Sequence, residues 1–104
     1  MSIAFEKSSV LGVDIGGTGI KAALVDPVQG KLLTNSQKLA TPQPASAESM
    51  LSVIQQLIGQ FQWNGLIGCG YPGVVKNGVA YTAANLDPSW IGVDLANELR
   101  KFTD

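Results

Sequence analysis

An α/β fold in the order β-β-β-α-β-α, built on a mixed sheet, is what this 104-residue sequence predicts, on three observations. Two short apolar runs, Val10 to Ile15 and Ile20 to Val25, flank a glycine-rich turn, the pattern of paired strands. Met50, Leu51, Ile54, Leu57, Ile58 and Phe61 recur at spacings of three and four and so define one apolar helix face. A further apolar run, Leu66 to Gly70, follows that helix. A strand reached through a helical crossover lies parallel to the strand it joins, here the first.

Taken in order, residues 1–9 read as an N-terminal extension and residues 10–104 as one domain. The first two runs read as fully buried strands, except that Asp14 interrupts the first near its end. An unpaired carboxylate is costly to bury, so Asp14 belongs at a strand tip, facing water, a metal ion or a donor. Gly16, Gly17 and Gly19 are expected to take positive φ and let a ligand approach the backbone, with the Thr18 hydroxyl among their amides. That composition suits a phosphate-binding concavity of N–H donors, with Asp14 beside it for Mg²⁺. The glycines alone are equally compatible with a tight hairpin next to a solvated aspartate.

Two other phosphate motifs fail. No G-K-[ST] triplet follows the glycines, which excludes a P-loop. Gly17 to Ala22 fits G-x-G-x-x-A, but Asp26-Pro27 arrives after only a strand's length, and no acid lies between Asp26 and Glu48, so a dinucleotide fingerprint is rejected.

Lys31 to Ala40 reads as a third, more polar strand at the sheet edge, and the two prolines of Thr41 to Ala45 as extended or turning chain. Ser46 is placed to cap the helix, with Glu48 in its first turn, and Trp63-Asn64-Gly65 to end it. Cys69, the single cysteine, is expected to be a buried, inert thiol in the fourth strand. Lys76-Asn77-Gly78 predicts a hairpin into Val79 to Thr82. Trp90 reads as a packing anchor in preference to a stacking platform. A last helix is expected from Val93 or Asp94, with Leu95, Ala96, Leu99 and Phe102 inward and Arg100 and Lys101 at its cationic end.

Composition narrows the function classes. Net charge of −1 argues against a nucleic-acid surface, and no apolar run approaches the roughly 18 residues of a membrane helix. With no histidine, Ser-His-Asp and Cys-His chemistry and the commonest zinc ligand are absent. A cytoplasmic protein is expected.

Asp14-Ile15-Gly16-Gly17-Thr18-Gly19-Ile20-Lys21 resembles the phosphate signature of the actin, heat-shock ATPase and sugar-kinase superfamily. With Thr41 to Pro44, Tyr71 to Val75 and Ala84 to Gly92, the chain resembles the ROK family of sugar kinases and repressors, and within it the N-terminal domain of bacterial polyphosphate glucokinases. The resemblance implies a ribonuclease-H-like ATPase domain lacking its fifth strand, so that the fourth leaves a free edge, open to self-association or to a missing C-terminal portion. It implies transfer of a phosphoryl group from polyphosphate or ATP to the 6-hydroxyl of glucose. Asp14, Gly16, Gly17, Thr18 and Lys21 would meet the donor, with Asp14 on Mg²⁺. Gly73 and Val74 would face the sugar through backbone groups, with Ala84 and Asn85 as its far wall. The family's general-base aspartate has no counterpart up to Asp104, so no catalytic residue is assigned and the chain alone is expected to be inactive. The reading from another class is a non-catalytic module, derived from a ROK kinase, that binds phosphate or sugar or pairs with a partner chain without turnover.

Overall fold

The computed structural model describes residues 9–83 and 85–103. Strands β1 (Val10–Ile15) and β2 (Gly19–Asp26) form an antiparallel hairpin in which Asp14 lies opposite Lys21 and Ile15 opposite Ile20. Helix α1 (Ala47–Gln60) then carries the chain to β5 (Ile67–Gly70), which pairs parallel with β1 and sets Asp14 beside Gly70. The tips of the first and fourth predicted strands are therefore adjacent, as expected from the crossover.

The third predicted strand is two. β3 (Lys31–Leu32) and β4 (Gln37–Ala40) both pair with β2 but in different registers: Val25 faces Leu32, whereas Ala22 faces Gln37. Leu33 to Ser36 thus oppose only Ala23 and Leu24, so the ladder bulges. The Thr34 hydroxyl accepts from Leu24 N–H at 3.1 Å inside the bulge, doing the work of a ladder carbonyl.

Nor are the first two strands buried on both faces. Leu11, Val13, Ile15, Ile20, Ala22 and Leu24 point to one side and meet Met50, Ile54, Leu57 and Ile58 of α1, as predicted for that helix. Asp14 and Lys21 stand exposed on the other side, over Gly12, Gly68 and Gly70. Alternation along β1, hidden in the sequence because Val10 and Gly12 are themselves apolar, is what puts the carboxylate on the open face.

Ser46 caps α1 by accepting from Ser49 N–H at 3.2 Å. At the other end, Gln62 takes φ +50° while its N–H and that of Trp63 donate to Gly59 and Ile58 carbonyls, a Schellman turn made by glutamine where glycine is usual. β6 (Val75–Lys76) and β7 (Val79–Ala80) form the predicted hairpin, with Asn77 and Gly78 both at positive φ, although the second strand is shorter than expected. A 3-10 turn (Pro88–Trp90) leads to α2 (Leu95–Arg100), capped by Asp94. Leu95 and Leu99 join the core, and Trp90, fully buried, donates from Nε1 to Ala45 O at 3.2 Å, so this tryptophan is a packing anchor. Among the described residues no helix is long and apolar enough to cross a membrane.

Candidate functional site: a glycine turn backed by two strands

The β1–β2 turn is shaped by space, not by handedness. None of Gly16, Gly17 and Gly19 has a positive φ, contrary to the sequence expectation; the glycines that do are Gly30, Gly78 and Gly92. A Cβ on Gly16 would lie 2.8 Å from Gly19 O, and one on Gly19 would overlap the Lys38 side chain. A Cβ on Gly17 would meet only Asn85 Cβ, at 3.7 Å. Gly16 and Gly19 are glycine because the turn closes on itself and on β4, whereas Gly17 is open.

Thr41, buried at the end of β4, pins this turn with two bonds. Its Oγ1 donates to Gly16 O at 2.6 Å and its N–H donates to Thr18 O at 3.2 Å. Two carbonyls are so drawn back into the protein. The N–H groups of Gly16, Gly17 and Thr18 have no acceptor among the described residues, which leaves three successive donors at the sheet tip.

Asp14 sits one residue pair below them, with Gly70 on one side and Lys21 on the other. A side chain on Gly70 would press to 3.2 Å from the Asp14 carboxylate, so glycine there keeps it accessible. Its oxygens have no hydrogen bond or ion pair among the described residues. An exposed, unpartnered carboxylate beside free donors fits Mg²⁺, which is commonly held by one or two carboxylates plus water and phosphate oxygens. Asp14 and Lys21 also line a shallow groove of about 480 Å³ that runs along the glycine-floored face toward Ala23 and Val25.

Cys69, opposite Val13 across the β1–β5 pair, is exposed, not buried as the sequence suggested. The apolar run around it predicts a strand covered on both sides, but β5 ends the sheet among the described residues. Enough protein still surrounds the sulfur that desolvation, and then the Asp14 charge, push the thiol up to about 12.

Of the predicted sugar residues, Asn85 lies against the glycine turn, and Ala84 lies outside the described residues. Gly73 and Val74 lie in the loop after β5, braced by Thr82. Val74 N–H donates to Thr82 Oγ1 at 2.9 Å, and its carbonyl accepts from Tyr81 N–H at 2.8 Å. Gly73 N–H is likewise used, by Tyr71 O at 2.8 Å. The loop has spent those N–H groups on itself, and the Val74 side chain is 49% exposed. Gly73 is glycine because a Cβ would come within 3 Å of Thr82 and Tyr71 atoms. Tyr71 completes the brace, stacking obliquely on Trp90 with centroids 5.4 Å apart and donating from its hydroxyl to Thr82 O at 2.8 Å.

Asp87 and Asp94 are already employed as caps. Asp87 Oδ1 accepts from Ser89 N–H at 2.8 Å, and this bond, aided by the Ser89 hydroxyl, holds its carboxyl below the usual range. Asp94 Oδ1 accepts from Asn97 N–H at 3.1 Å. Thr41, Thr82 and Lys38 were not singled out from sequence. A threonine before a proline and a lysine in a polar strand carry no signal until the register places them.

This strand order, with its crossover helix and its glycine turn between the first two strands, defines a ribonuclease-H-like domain of the kind shared by actin and the sugar kinases. The ROK family model matches residues 10–104, and the chain belongs to the ROK family. It is 47% identical over 83 residues to polyphosphate glucokinase of Mycobacterium tuberculosis, a match covering 80% of this chain and 31% of that protein. The crystal structure of an inorganic polyphosphate/ATP-glucomannokinase from Arthrobacter superposes with a TM-score of 0.85 at 34% identity, covering 91% of this chain and 40% of that one. A ROK glucokinase from Streptomyces griseus, in complex with glucose and AMPPNP, gives 0.74 at 32% identity over 89% of this chain and 30% of that one. The chain thus spans about a third of the length of the curated relative it matches.

Proposed function

We propose that this chain supplies the donor-phosphate half of a glucokinase site, in which a phosphoryl group passes from polyphosphate or ATP to the 6-hydroxyl of glucose. The observation that carries the reading is the row of three N–H groups, Gly16 to Thr18, with no acceptor among the described residues and with the Gly16 and Thr18 carbonyls held back by Thr41. Such donors meet phosphate oxygens without reorganising, which is how phosphoryl transfer is assisted where positioning and charge neutralisation carry the catalysis. Mg²⁺, held at Asp14, would supply the positive charge that screens donor oxygens from one another. Lys21 adds a cation on the same face. Asn85, against Gly17, and Ala84 would form the sugar's far wall, with Gly73 and Val74 at the rim.

No residue here is assigned as the general base, since Asp87 and Asp94 are held as caps. We therefore expect residues 1–104 alone to show no turnover in a coupled glucose-6-phosphate assay, with polyphosphate or ATP as donor. Measured turnover would refute that assignment. The donor site itself is tested by adding tripolyphosphate and Mg²⁺ to labelled protein. Shifts confined to the amides of Gly16, Gly17 and Thr18, with a Mg²⁺ requirement lost in Asp14→Asn, support the reading; no change at those amides removes it. The same reading places the protein in the cytoplasm with no nucleic-acid or membrane partner. It also predicts that the unpaired edge of β5 is completed by further chain or by a second copy.

A further inference from the structure

Lys38, in the edge strand β4, faces another lysine across the sheet. It lies in β4 directly opposite Lys21 of β2, and Lys21 is in turn opposite Asp14 of β1, so the three form one row across the open face. Like charges facing each other across strands destabilise the pair. Neither lysine makes an ion pair with an acid, since the one among the described residues is Lys101 with Glu98. Lysines on edge strands commonly deter edge-to-edge pairing, but they do so by reaching out into water. Lys38, though exposed, lies along the sheet: its stem crosses Gly19, and its Nζ stands 3.3 Å from where a Gly19 Cβ would be. Glycine at 19 is what makes room for it, and the ammonium ends beside the turn that bears the free donors.

We infer that Lys38, together with Lys21, is a second cationic arm of the donor site that holds the next phosphate along a condensed phosphate chain, beyond the one seated on Gly16 to Thr18. The inference rests on the donor-site reading above. An anion between Lys21 and Lys38 turns their mutual repulsion into attraction to a common ligand, and three separate features then have one cause: the opposed lysines, the stem laid over the turn and the glycine beneath it. The turn's own amides suffice for a single phosphate. The lysine arm distinguishes a chain of phosphates from one.

The test measures affinities by titration calorimetry on the translated chain containing residues 1–104, with orthophosphate, tripolyphosphate and ATP, each with Mg²⁺. Lys38→Gln should weaken tripolyphosphate about fivefold, the upper range for an exposed ion pair, and leave orthophosphate within about twofold. Lys38→Arg should keep most of the affinity. Lys31→Gln, which removes an equal charge at the far end of β2, should change nothing. The loss should shrink as salt rises. An equal loss on ATP assigns the arm to any condensed phosphate, and a loss on tripolyphosphate alone assigns it to the linear polymer; both support the inference. Equal losses in Lys38→Gln and Lys31→Gln, or none in Lys38→Gln while the wild type binds, would overturn it and leave the donor site standing. A wild type that binds none of the three ligands would sink the donor-site reading, and the lysine arm with it.

Discussion

Replacing Thr41 by valine isolates one bond in the turn. Valine keeps the shape, the β-branch and the backbone N–H that donates to Thr18 O, and removes only the 2.6 Å bond from Oγ1 to Gly16 O. A neutral hydrogen bond is worth about 1 kcal/mol net, and a buried acceptor left unpaired costs about 1–3 kcal/mol. Gly16 is half-buried, so water reaches part of its carbonyl and the lower end applies, about 1–1.5 kcal/mol. With a urea slope of about 1 kcal/mol/M for a small domain, the midpoint should fall by about 1 M. Local opening is read separately from the Thr41 amide, whose exchange should quicken about tenfold for each 1.4 kcal/mol lost between β4 and the turn. Thr41→Ser keeps the hydroxyl and should hold the exchange rate near wild type while losing some stability from the missing methyl. If Thr41→Val and Thr41→Ser exchange alike, or if valine leaves the midpoint unmoved, Thr41 does not hold the turn and the account of its free donors fails.

Three further outcomes follow from the geometry. Gln62→Gly, by relieving a left-handed backbone at φ +50°, should stabilise the chain by about 0.5–1 kcal/mol in urea melts; destabilisation would mean that the glutamine side chain matters more than the backbone. Cys69 should alkylate slowly at pH 8 despite its exposure, its rate still climbing past pH 10, and Asp14→Asn should speed it by removing the neighbouring charge. Because burial raises that thiol above its ordinary value of 9.0, its contribution to stability is full below pH 9 and is lost as pH rises toward about 12; a melt unaffected over that window contradicts the shift. Gly68→Lys puts a charge on the open edge of β5, where a Cβ meets only Val10 at ordinary contact distance. It should lower any concentration-dependent association seen by sedimentation, and association that persists unchanged would locate the contact elsewhere.

Element identity was legible wherever one residue pattern had one structural meaning. The helix face from Met50 to Phe61, the Ser46 cap and the Asn77-Gly78 hairpin needed only local chemistry. What stayed hidden depended on pairing. The bulge between β3 and β4 arises from a two-residue slip in register, and nothing in Leu33 to Ser36 announces it. The exposure of Cys69 depends on which strand lies at the sheet edge, a property of the whole sheet that the apolar run around the cysteine does not encode. The glycine turn was found for its composition but misread for its mechanism. Sequence says only that a side chain is missing, whereas the structure says what takes the space: Gly19 O above Gly16, and Lys38 above Gly19.

The same contrast explains why β4 matters more than its polar, exposed sequence suggests. A turn between two strands is ordinarily fixed by those strands alone, and this one is fixed from a third. β4 pairs with β2 at Gly19 and Ile20, sends Thr41 into the carbonyl side of the turn and lays Lys38 over its rim. If donor binding depends on the turn's preorganised amides, then loosening β4 weakens binding without touching a residue of the glycine motif. Leu39, half-buried beneath β4 opposite Ile20, is the position that separates the two effects. Leu39→Ala should cost about 1–2 kcal/mol by loss of partial burial. If the turn relies on β4, tripolyphosphate affinity should fall as well, under conditions where the chain remains folded by circular dichroism. Stability lost with affinity intact would show that the β1–β2 hairpin holds its own turn.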